Sequence, residues 1–240
     1  PTNKIGDGVL YKGYTVGDIW GYVTGGILQE GDFDGVGANG KPLYHGPYFK
    51  GGQAYPGYIW YQDLDHDGVI TTGLNTVDDP GDRKVIGNNA PRYRYNITAN
   101  FQYKGFDLDL MFQGVGKRDY WLSSTSSYWG NGAGSWEVYN NSWTPERTDA
   151  KFPMYGSGTG SYPQTGYLLD ASYIKLKQVI LGYTFPRALI NKIGLEKLRL
   201  NLAAYNLFTI SDMPKYYDAD YLSDAYPPKR TFSVGIQVGF

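Results

Sequence analysis

The last ten residues constrain the fold of this chain more than any other feature. In the segment TFSVGIQVGF, residues 231–240, apolar side chains alternate strictly with small or polar ones. A period of two places the two kinds of side chain on opposite faces of a β-strand. Over about ten residues this pattern is typical of a transmembrane strand, with lipid on the apolar face and a polar lumen on the other. The apolar side chains are Phe232, Val234, Ile236, Val238 and Phe240.

The composition favours β-structure and excludes several classes of function. The chain has 24 Tyr, 33 Gly and only 19% charged residues, which suits strands, turns and aromatic interfaces. A formal net charge of −1 argues against a nucleic-acid partner. The absence of Cys removes disulfides, thiolate metal sites and Cys nucleophiles, and two His leave little material for a catalytic triad. We therefore expect an all-β chain that is not an enzyme.

The same alternation predicts four further strands. It is cleanest where Tyr93, Tyr95 and Ile97 alternate with Arg94 and Asn96. A soluble β-sandwich has strands that alternate in the same way, so it remains an alternative to the membrane strand at this point. The predicted strands lie near 92–103, 105–115, 173–185, 197–209 and 231–240.

The lengths of the connections predict the two sides of the sheet. The short connections at 104–105 and 186–196 are expected to be periplasmic turns, and the second has weak helical character. The long segments 10–91, 116–172 and 210–230 are then extracellular loops, longer than ordinary connections and therefore expected to be functional.

Two lysines interrupt the third predicted strand. If the alternation is unbroken, Lys175 and Lys177 share a face with Val179 and Leu181. Because a charged side chain is costly on a lipid-facing surface, we expect both lysines to lie beyond the membrane.

The segment DLDHDGVIT, from residue 63, has the spacing of a calcium loop. Carboxylates at Asp63, Asp65 and Asp67 fall at the first, third and fifth positions, and Gly68 permits the sharp turn. The backbone carbonyl of Val69 is the ligand expected at the seventh position.

The closing ligand of this loop is displaced from its usual position. Leu74 stands where a bidentate Glu is expected, and acidic residues follow only in TVDDPGDRKVIG. Asp82 is the first candidate for the closing ligand, with Asp78 or Asp79 second. An Asp-rich turn that binds no metal is the alternative interpretation.

Aromatic side chains cluster in the loop after the first hairpin. They could stack on sugar rings or peptides, or pack the loop itself or a partner protein. The candidates for substrate contact are Trp121, Tyr128, Trp129 and Trp136.

Many successive segments of the chain resemble, in order, the carboxy-terminal part of the SusC/RagA family of TonB-dependent outer-membrane transporters. The resemblance covers nearly the whole chain. In that family the calcium-type loop is followed almost at once by an acidic and a basic residue, which map onto Asp82 and Arg83 after about eight extra residues. The segments are GDIWGYVTGGILQ, YIWYQDLDHDGVIT, DRKVIGNNAPRYRYNITANFQYKGFDLDLMFQGVGKRD, SWTPERTDAKFP, LLDASYIKLKQVILGYTFP, LRLNLAAYNLFT and AYPPKRTFSVGIQVGF.

This resemblance implies a multi-pass barrel of about 22 strands in the bacterial outer membrane, of the Bacteroidetes type, with a plugged lumen. It implies nutrient uptake of a glycan or peptide, captured with a SusD-like surface lipoprotein and driven by TonB through the plug. Residues 1–240 would be a carboxy-terminal fragment, with the signal peptide, TonB box and plug outside this sequence. Calcium in the loop 63–82 would be structural. A secreted or surface calcium-dependent carbohydrate-binding module is the alternative function.

Overall fold

The structure of the chain is a computed structural model. It describes residues 3–6, 11–121, 136–214, 217–222 and 228–240. Tyr128 and Trp129, two of the predicted substrate-contacting aromatics, lie outside the described residues. Among the described residues, no helix is long and apolar enough to cross a bilayer.

Strands make up most of the regular structure, and the two α-helices among the described residues are short. The 3-10 turns are Glu30–Asp32, Thr159–Ser161, Thr165–Tyr167 and Asn191–Ile193. The strands and helices, in chain order, are β1 (Asp18–Tyr22), β2 (Thr24–Ile27), β3 (Tyr48–Phe49), β4 (Ile59–Tyr61), β5 (Val69–Ile70), β6 (Arg83–Asn88), β7 (Tyr93–Tyr103), β8 (Phe106–Gly116), β9 (Asp119–Trp121), α1 (Trp136–Asn140), β10 (Leu168–Asp170), β11 (Tyr173–Thr184), α2 (Arg187–Ile190), β12 (Lys197–Ser211) and β13 (Thr231–Gly239).

The chain divides into two compact units. The strand unit comprises Pro91–Arg118 and Asp170–Phe240, and the loop unit comprises Pro1–Ala90 and Asp119–Leu169. The loop unit is thus built from two of the long segments that the sequence predicts as loops. Each unit has its own sheets, so each is described separately.

The strand unit contains one antiparallel sheet of five long strands, in the order β13-β12-β11-β8-β7. Each strand pairs with the strand before it among these five, which is an up-and-down meander. The five strands begin and end within two residues of the positions that alternation predicts. The predicted all-β fold class is confirmed.

One face of this sheet is apolar and exposed. On β13, Phe232, Val234 and Ile236 are 72%, 75% and 64% exposed. The register places Val234 opposite Leu202 on β12, so the apolar side chains of neighbouring strands share a face. The opposite face carries polar side chains, such as Gln237 of β13 and Arg199, which pairs with it on β12. This exposed apolar surface is the feature of the strand unit that a function must explain.

A tight turn joins β7 to β8. Lys104 and Gly105 both have positive φ angles, 46° and 88°. Positive φ at both central residues is the requirement of a type I′ hairpin turn, whose twist matches that of the flanking strands. The two-residue connection predicted from the sequence therefore has the geometry that sets the register of the hairpin.

A β-bulge in β11 changes the predicted faces of its lysines. The register of β11 with both neighbours shifts between Leu176 and Gln178, which leaves Lys177 as the extra residue. Before the bulge, Lys175 pairs with Gln113 and lies on the polar face. The expectation that both lysines share the apolar face with Val179 is therefore wrong, because one inserted residue reverses the alternation.

An ion pair crosses over the middle strand of the sheet on the polar face. Arg199 of β12 donates from Nη1 and Nη2 to the two carboxylate oxygens of Asp107 on β8, at 2.5 and 2.6 Å. Gly182 of β11 lies beneath this bridge, and a Cβ atom there would overlap both charged groups. Glycine is therefore required at this position so that the two outer strands can be linked.

The loop unit is held together by short strand pairs and an aromatic core. β1 pairs with β6 and β2 with β4 in antiparallel fashion, β3 pairs with β5 in parallel, and β9 pairs with β10. The rings of Tyr22, Phe49 and Tyr61 lie within 5.6 Å of one another, centroid to centroid. Such aromatic pairs contribute beyond the area that they bury.

Buried hydrogen bonds join the two sequence segments of the loop unit. The Tyr61 hydroxyl donates to the backbone carbonyl of Thr159 at 2.6 Å. Gln164 is fully buried and donates from Nε2 to the Tyr61 hydroxyl, at 3.0 Å. Thr24 donates to the Gln164 side-chain oxygen at 3.1 Å. The two predicted loops therefore fold as one unit, joined by buried hydrogen bonds.

Candidate functional site

The calcium-type loop connects β4 to β5 and curls around the side chain of its first aspartate. The Asp63 carboxylate accepts the backbone N–H of His66 at 2.7 Å and that of Gly68 at 2.8 Å. His66 and Gly68 have positive φ angles of 61° and 85°, which bend the chain back on itself. The local sequence folds this way because an aspartate readily accepts bonds from the backbone of the turn that follows it.

A second acidic residue reaches the loop from the start of β6. Asp82 is fully buried, and its two carboxylate oxygens accept the N–H groups of Leu64 at 2.8 Å and Thr71 at 2.7 Å. The preceding Gly81 has a φ of 60°, and a Cβ atom there would overlap the backbone of Gly73. Asp82 thereby joins the two ends of the loop.

Three of the predicted metal ligands lie together. One carboxylate oxygen from each of Asp63, Asp65 and Asp82 lies within 4.8 Å of the others. Asp67 is outside this group, and its carboxylate accepts the N–H of Val69 at 2.8 Å. Val69, whose carbonyl is the other predicted ligand, is the first residue of β5.

The alternative closing ligands do not belong to the group. Asp78 accepts a hydrogen bond from the Asn3 side chain at 3.2 Å, and the backbone N–H of Asp79 donates to the Thr76 hydroxyl at 3.1 Å. Of the three acidic residues considered for closure, Asp82 is the one whose carboxylate lies beside Asp63 and Asp65.

The electrostatics of the group suit a hard cation. Desolvation raises the pKa of Asp65 above its usual value, and the negative charges of Asp82 and Asp67 add to this effect. Desolvation would also raise the pKa of Asp63, but the N–H groups of Gly68 and His66 outweigh it and lower that pKa. Carboxylates that lie this close together fit Ca²⁺, which takes oxygen ligands.

The neighbouring arginine does not neutralise the group. The Arg83 guanidinium donates to the carbonyls of Pro80 and Thr72, at 3.2 and 3.1 Å, and to the Asn75 side chain at 2.8 Å. These bonds brace the segment between β5 and β6. The three carboxylates are therefore left as an oxygen donor set.

The predicted aromatic candidates differ in exposure. Trp121 is buried at the end of β9, whereas Trp136, at the start of α1, is 77% exposed. Trp136 packs edge-to-face on Tyr139, with centroids 5.9 Å apart, and Tyr139 packs in the same way on Tyr155 at 6.0 Å. Of the candidates that the structure describes, Trp136 is the one that offers an exposed ring.

A charged network on the polar face of the strand unit was not predicted from the sequence. Lys175 is buried and lies 2.9 Å from both carboxylate oxygens of Asp218 and 3.6 Å from Asp220. Asp220 also accepts bonds from Lys177 at 3.0 Å and from the Tyr173 hydroxyl at 2.5 Å. The sequence signal for this network is the pair Lys175 and Lys177 in a predicted strand, together with the pattern DAD at residues 218–220. The pattern DAD lies in a segment predicted as a separate loop, so the two were not connected.

The network attaches the segment 217–222, which follows β12, to the face of β11. Two lysines from the strand meet two aspartates from the segment, so the charges balance within the network. Buried charges are tolerated when they are paired in this way. The segment is consequently a fixed part of the polar face of the sheet.

The chain is similar in sequence to several TonB-dependent receptors. No protein-family model matches it. It is 30% identical to TonB-dependent receptor P3 of Formosa agariphila over 249 residues, which cover 97% of this chain and 23% of the relative. It is 26% identical to TonB-dependent receptor SusC of Bacteroides thetaiotaomicron over 241 residues, which cover 91% of this chain and 23% of the relative. The chain thus spans about a quarter of the length of these curated relatives.

Solved structures share the fold. A chain of the RagAB peptide importer in its "open-open" state matches with a TM-score of 0.59 at 21% identity, covering 99% of this chain and 25% of that one. The "closed-closed" state of the same importer gives 0.57 at 18% identity, covering 97% and 25%. The chain therefore belongs to the SusC/RagA family of TonB-dependent receptors and corresponds to the carboxy-terminal part of such a receptor.

Proposed function

We propose that this chain is part of an outer-membrane receptor that imports a glycan or peptide nutrient in a TonB-dependent manner. The observation that carries the proposal is the five-stranded meander, one face of which is apolar and exposed and which shares its fold with a RagAB chain. The relatives are receptors and an importer, which favours transport over catalysis. A peptide and a glycan are both retained as substrate classes.

The exposed apolar face is assigned to lipid. Soluble proteins rarely expose a contiguous apolar patch larger than a few hundred Å². A transmembrane barrel requires such a face, because its outward side chains contact acyl chains while inward ones line a polar lumen. The alternative, a soluble calcium-dependent carbohydrate-binding module, would leave this surface without a partner.

The two edges of the sheet require further strands. β13 and β7 each have a neighbour on one side only within the five-stranded sheet. Unpaired backbone groups are costly in lipid, so a barrel must be closed. We infer that the rest of a barrel of about 22 strands supplies the missing neighbours.

A SusD-like surface lipoprotein and the TonB complex are the proposed partners. The lipoprotein would cap the lumen and retain the substrate, and TonB would act through the plug of the full-length receptor. The exposed ring of Trp136 is a candidate contact for the lipoprotein or the substrate, since aromatic side chains are enriched at interfaces.

The proposal predicts a membrane complex of defined composition. The full-length receptor is tagged in its native cell, outer membranes are isolated, and proteins that copurify in mild detergent are identified by mass spectrometry. We expect one surface lipoprotein in near-equal amount. Recovery of the receptor from the soluble or secreted fraction, with no lipoprotein, would favour the binding module instead.

We further propose that Ca²⁺ binds Asp63, Asp65 and Asp82 and stiffens the loop unit. Asp67 and the carbonyl of Val69 would complete the oxygen shell through small movements of the loop. When bound, the ion would neutralise neighbouring carboxylates. The role would be structural, because the carboxylates of Asp63 and Asp82 accept backbone N–H groups that close the loop.

Calcium should protect this loop from proteases. At a calcium concentration about a hundred times the dissociation constant, ligand linkage disfavours opening about a hundredfold. We expect cleavage between residues 63 and 82 of the full-length receptor to accelerate on chelation, and Asp65→Asn to abolish most of the difference. The matched control is Asp34→Asn, whose carboxylate is exposed and outside the group. Cleavage that is insensitive to chelation would refute the calcium proposal.

A further inference from the structure

A polar cavity opens on the strand unit where β7, β8 and β11 meet the segment 217–222. Its volume is about 370 Å³, within the range of small-molecule sites. The segment contributes to its wall through Asp220, which the lysine network holds in place. The polar lining side chains are Arg94, Asn96, Gln113, Arg118, Tyr173 and Asp220.

Of the residues that the structure describes, one carboxylate lines the cavity, and it is already engaged. Asp220 accepts hydrogen bonds from Lys177 and from the Tyr173 hydroxyl, and Asp218 behind it is paired with Lys175. Desolvation would raise the pKa of Asp220, but the Tyr173 hydroxyl, the Lys177 ammonium and the charge of Lys175 together outweigh it and lower that pKa, so Asp220 stays ionised at neutral pH. Its negative charge is balanced inside the network.

Cationic side chains also line the cavity. Among the described residues, its lining contains the guanidinium groups of Arg94 and Arg118 and the carboxylate of Asp220. Arg94 projects from the polar face of β7, opposite Val115 of β8, and forms no hydrogen bond or ion pair with any described residue. A free guanidinium on a cavity wall offers two parallel N–H donors, which match the two oxygens of a carboxylate.

A neutral donor lies beside this charge. Asn96 follows Arg94 on the same face of β7 and pairs in register with Gln113 of β8. Gln113 donates from Nε2 to the Tyr173 hydroxyl at 3.2 Å and to Asp220 at 3.4 Å, so its own N–H donors are engaged and the Asn96 amide is the one offered to the cavity. Amide and guanidinium donors around one space recognise an anion with several acceptor oxygens better than they recognise a neutral ring.

We propose that this cavity is a subsite for a carboxylate group of the imported substrate, with Arg94 as its principal contact. The inference rests on the proposed import function and narrows its substrate to an acidic one. The carboxylate belongs either to a peptide or to a uronic acid in a glycan, and the two sources share the chemistry that Arg94 recognises.

The test compares acids with their neutral analogues on the purified full-length receptor and its copurifying lipoprotein. The probes are tetra-alanine with a free carboxy terminus against its amide, and trigalacturonate against its methyl ester. We expect one of the two acids to bind more tightly than its analogue. Arg94→Gln should weaken the binding of that acid about tenfold, equivalent to about 1.4 kcal/mol, and leave the analogue unchanged.

Two further variants make the result specific. Arg94→Lys keeps the charge but not the paired donors, so it should lose less affinity than Arg94→Gln. Arg187→Gln removes the same charge from the exposed helix α2, which lies in the connection between β11 and β12, and should have no effect. Preferential binding of the peptide or of the sugar acid identifies the source.

Three outcomes would overturn the subsite. These are equal binding of acid and neutral analogue, no binding of either acid, and equal loss of affinity in Arg94→Gln and Arg187→Gln. The amount of lipoprotein that copurifies is measured on the same samples. A preparation that retains the lipoprotein but shows no acid preference refutes the subsite and leaves the import function standing.

Discussion

Replacing Lys175 with methionine is expected to release the segment 217–222 from the strand unit. Lys175 is buried, and its ammonium lies between Asp218 and Asp220. Removing one partner of a buried ion pair typically costs about 3–5 kcal/mol, because the other charge remains buried without compensation. Hydrogen exchange of the segment in the full-length receptor should therefore accelerate by about two to four orders of magnitude.

The neighbouring lysine provides a matched control. The Lys177 side chain is 30% exposed and contacts Asp220 alone of the two aspartates. Pairs with access to water are worth about 1 kcal/mol or less, so Lys177→Met should accelerate exchange about fivefold at most. Equal effects of the two substitutions would show that Lys175 is not the buried anchor.

A second substitution distinguishes two effects of Lys175→Met: the loss of the attraction between the ions, and the cost of leaving Asp218 buried as an unpaired charge. In Lys175→Met with Asp218→Leu, both partners of the closest pair are apolar, and such replacements are often neutral or stabilising. We expect the double variant to recover part of the protection that Lys175→Met loses. A double variant that is worse than the single one would contradict this account of the network.

Replacing Asp82 with alanine is expected to open the calcium-type loop even without calcium. The carboxylate is fully buried and accepts the backbone N–H groups of Leu64 and Thr71. Hydrogen bonds to a charged group contribute about 1.5–3 kcal/mol each, and their loss leaves two donors without partners. We expect a loss of about 3 kcal/mol or more in the local stability of the loop.

Limited proteolysis of the full-length receptor in chelator measures this effect. Cleavage between residues 63 and 82 should be much faster in Asp82→Ala than in the parent. Asp82→Asn should fall between them, because an amide presents one oxygen acceptor to two N–H groups. Asp34→Ala, at an exposed position, is the control. If Asp82→Ala differs from the parent only when calcium is present, then Asp82 acts through the ion rather than through the backbone.

The long strands could be predicted because their chemistry is local. A side-chain period of two follows from the geometry of an extended backbone, and it is visible without knowledge of any neighbour. The turn at Lys104 and Gly105 is equally local, since two-residue hairpin connections favour turn types with positive φ. The spacing of Asp63, Asp65 and Asp67 predicted a tight acidic loop for the same reason.

The arrangement of the charged groups could not be predicted, because it depends on contacts between residues that are distant in sequence. The bulge at Lys177 moves Lys175 to the polar face, and nothing in the alternation of β11 marks the inserted residue. The bulge can be recognised only from the register of β11 with its two neighbouring strands, β8 and β12. Asp218 and Asp220, which neutralise the lysines, come from a segment more than forty residues later in the chain.

The five long strands, the apolar face of each strand away from the bulge, and the residues of the acidic loop could be predicted from the sequence alone, whereas the short strands of the loop unit could not. The tertiary structure decided three other matters. It joined two predicted loops into one unit around Tyr61 and Gln164, brought Asp82 beside Asp63, and placed the lysines opposite their aspartates. These contacts link residues distant in sequence, so packing and the pairing of buried polar groups select them, whereas the backbone period selects the strands.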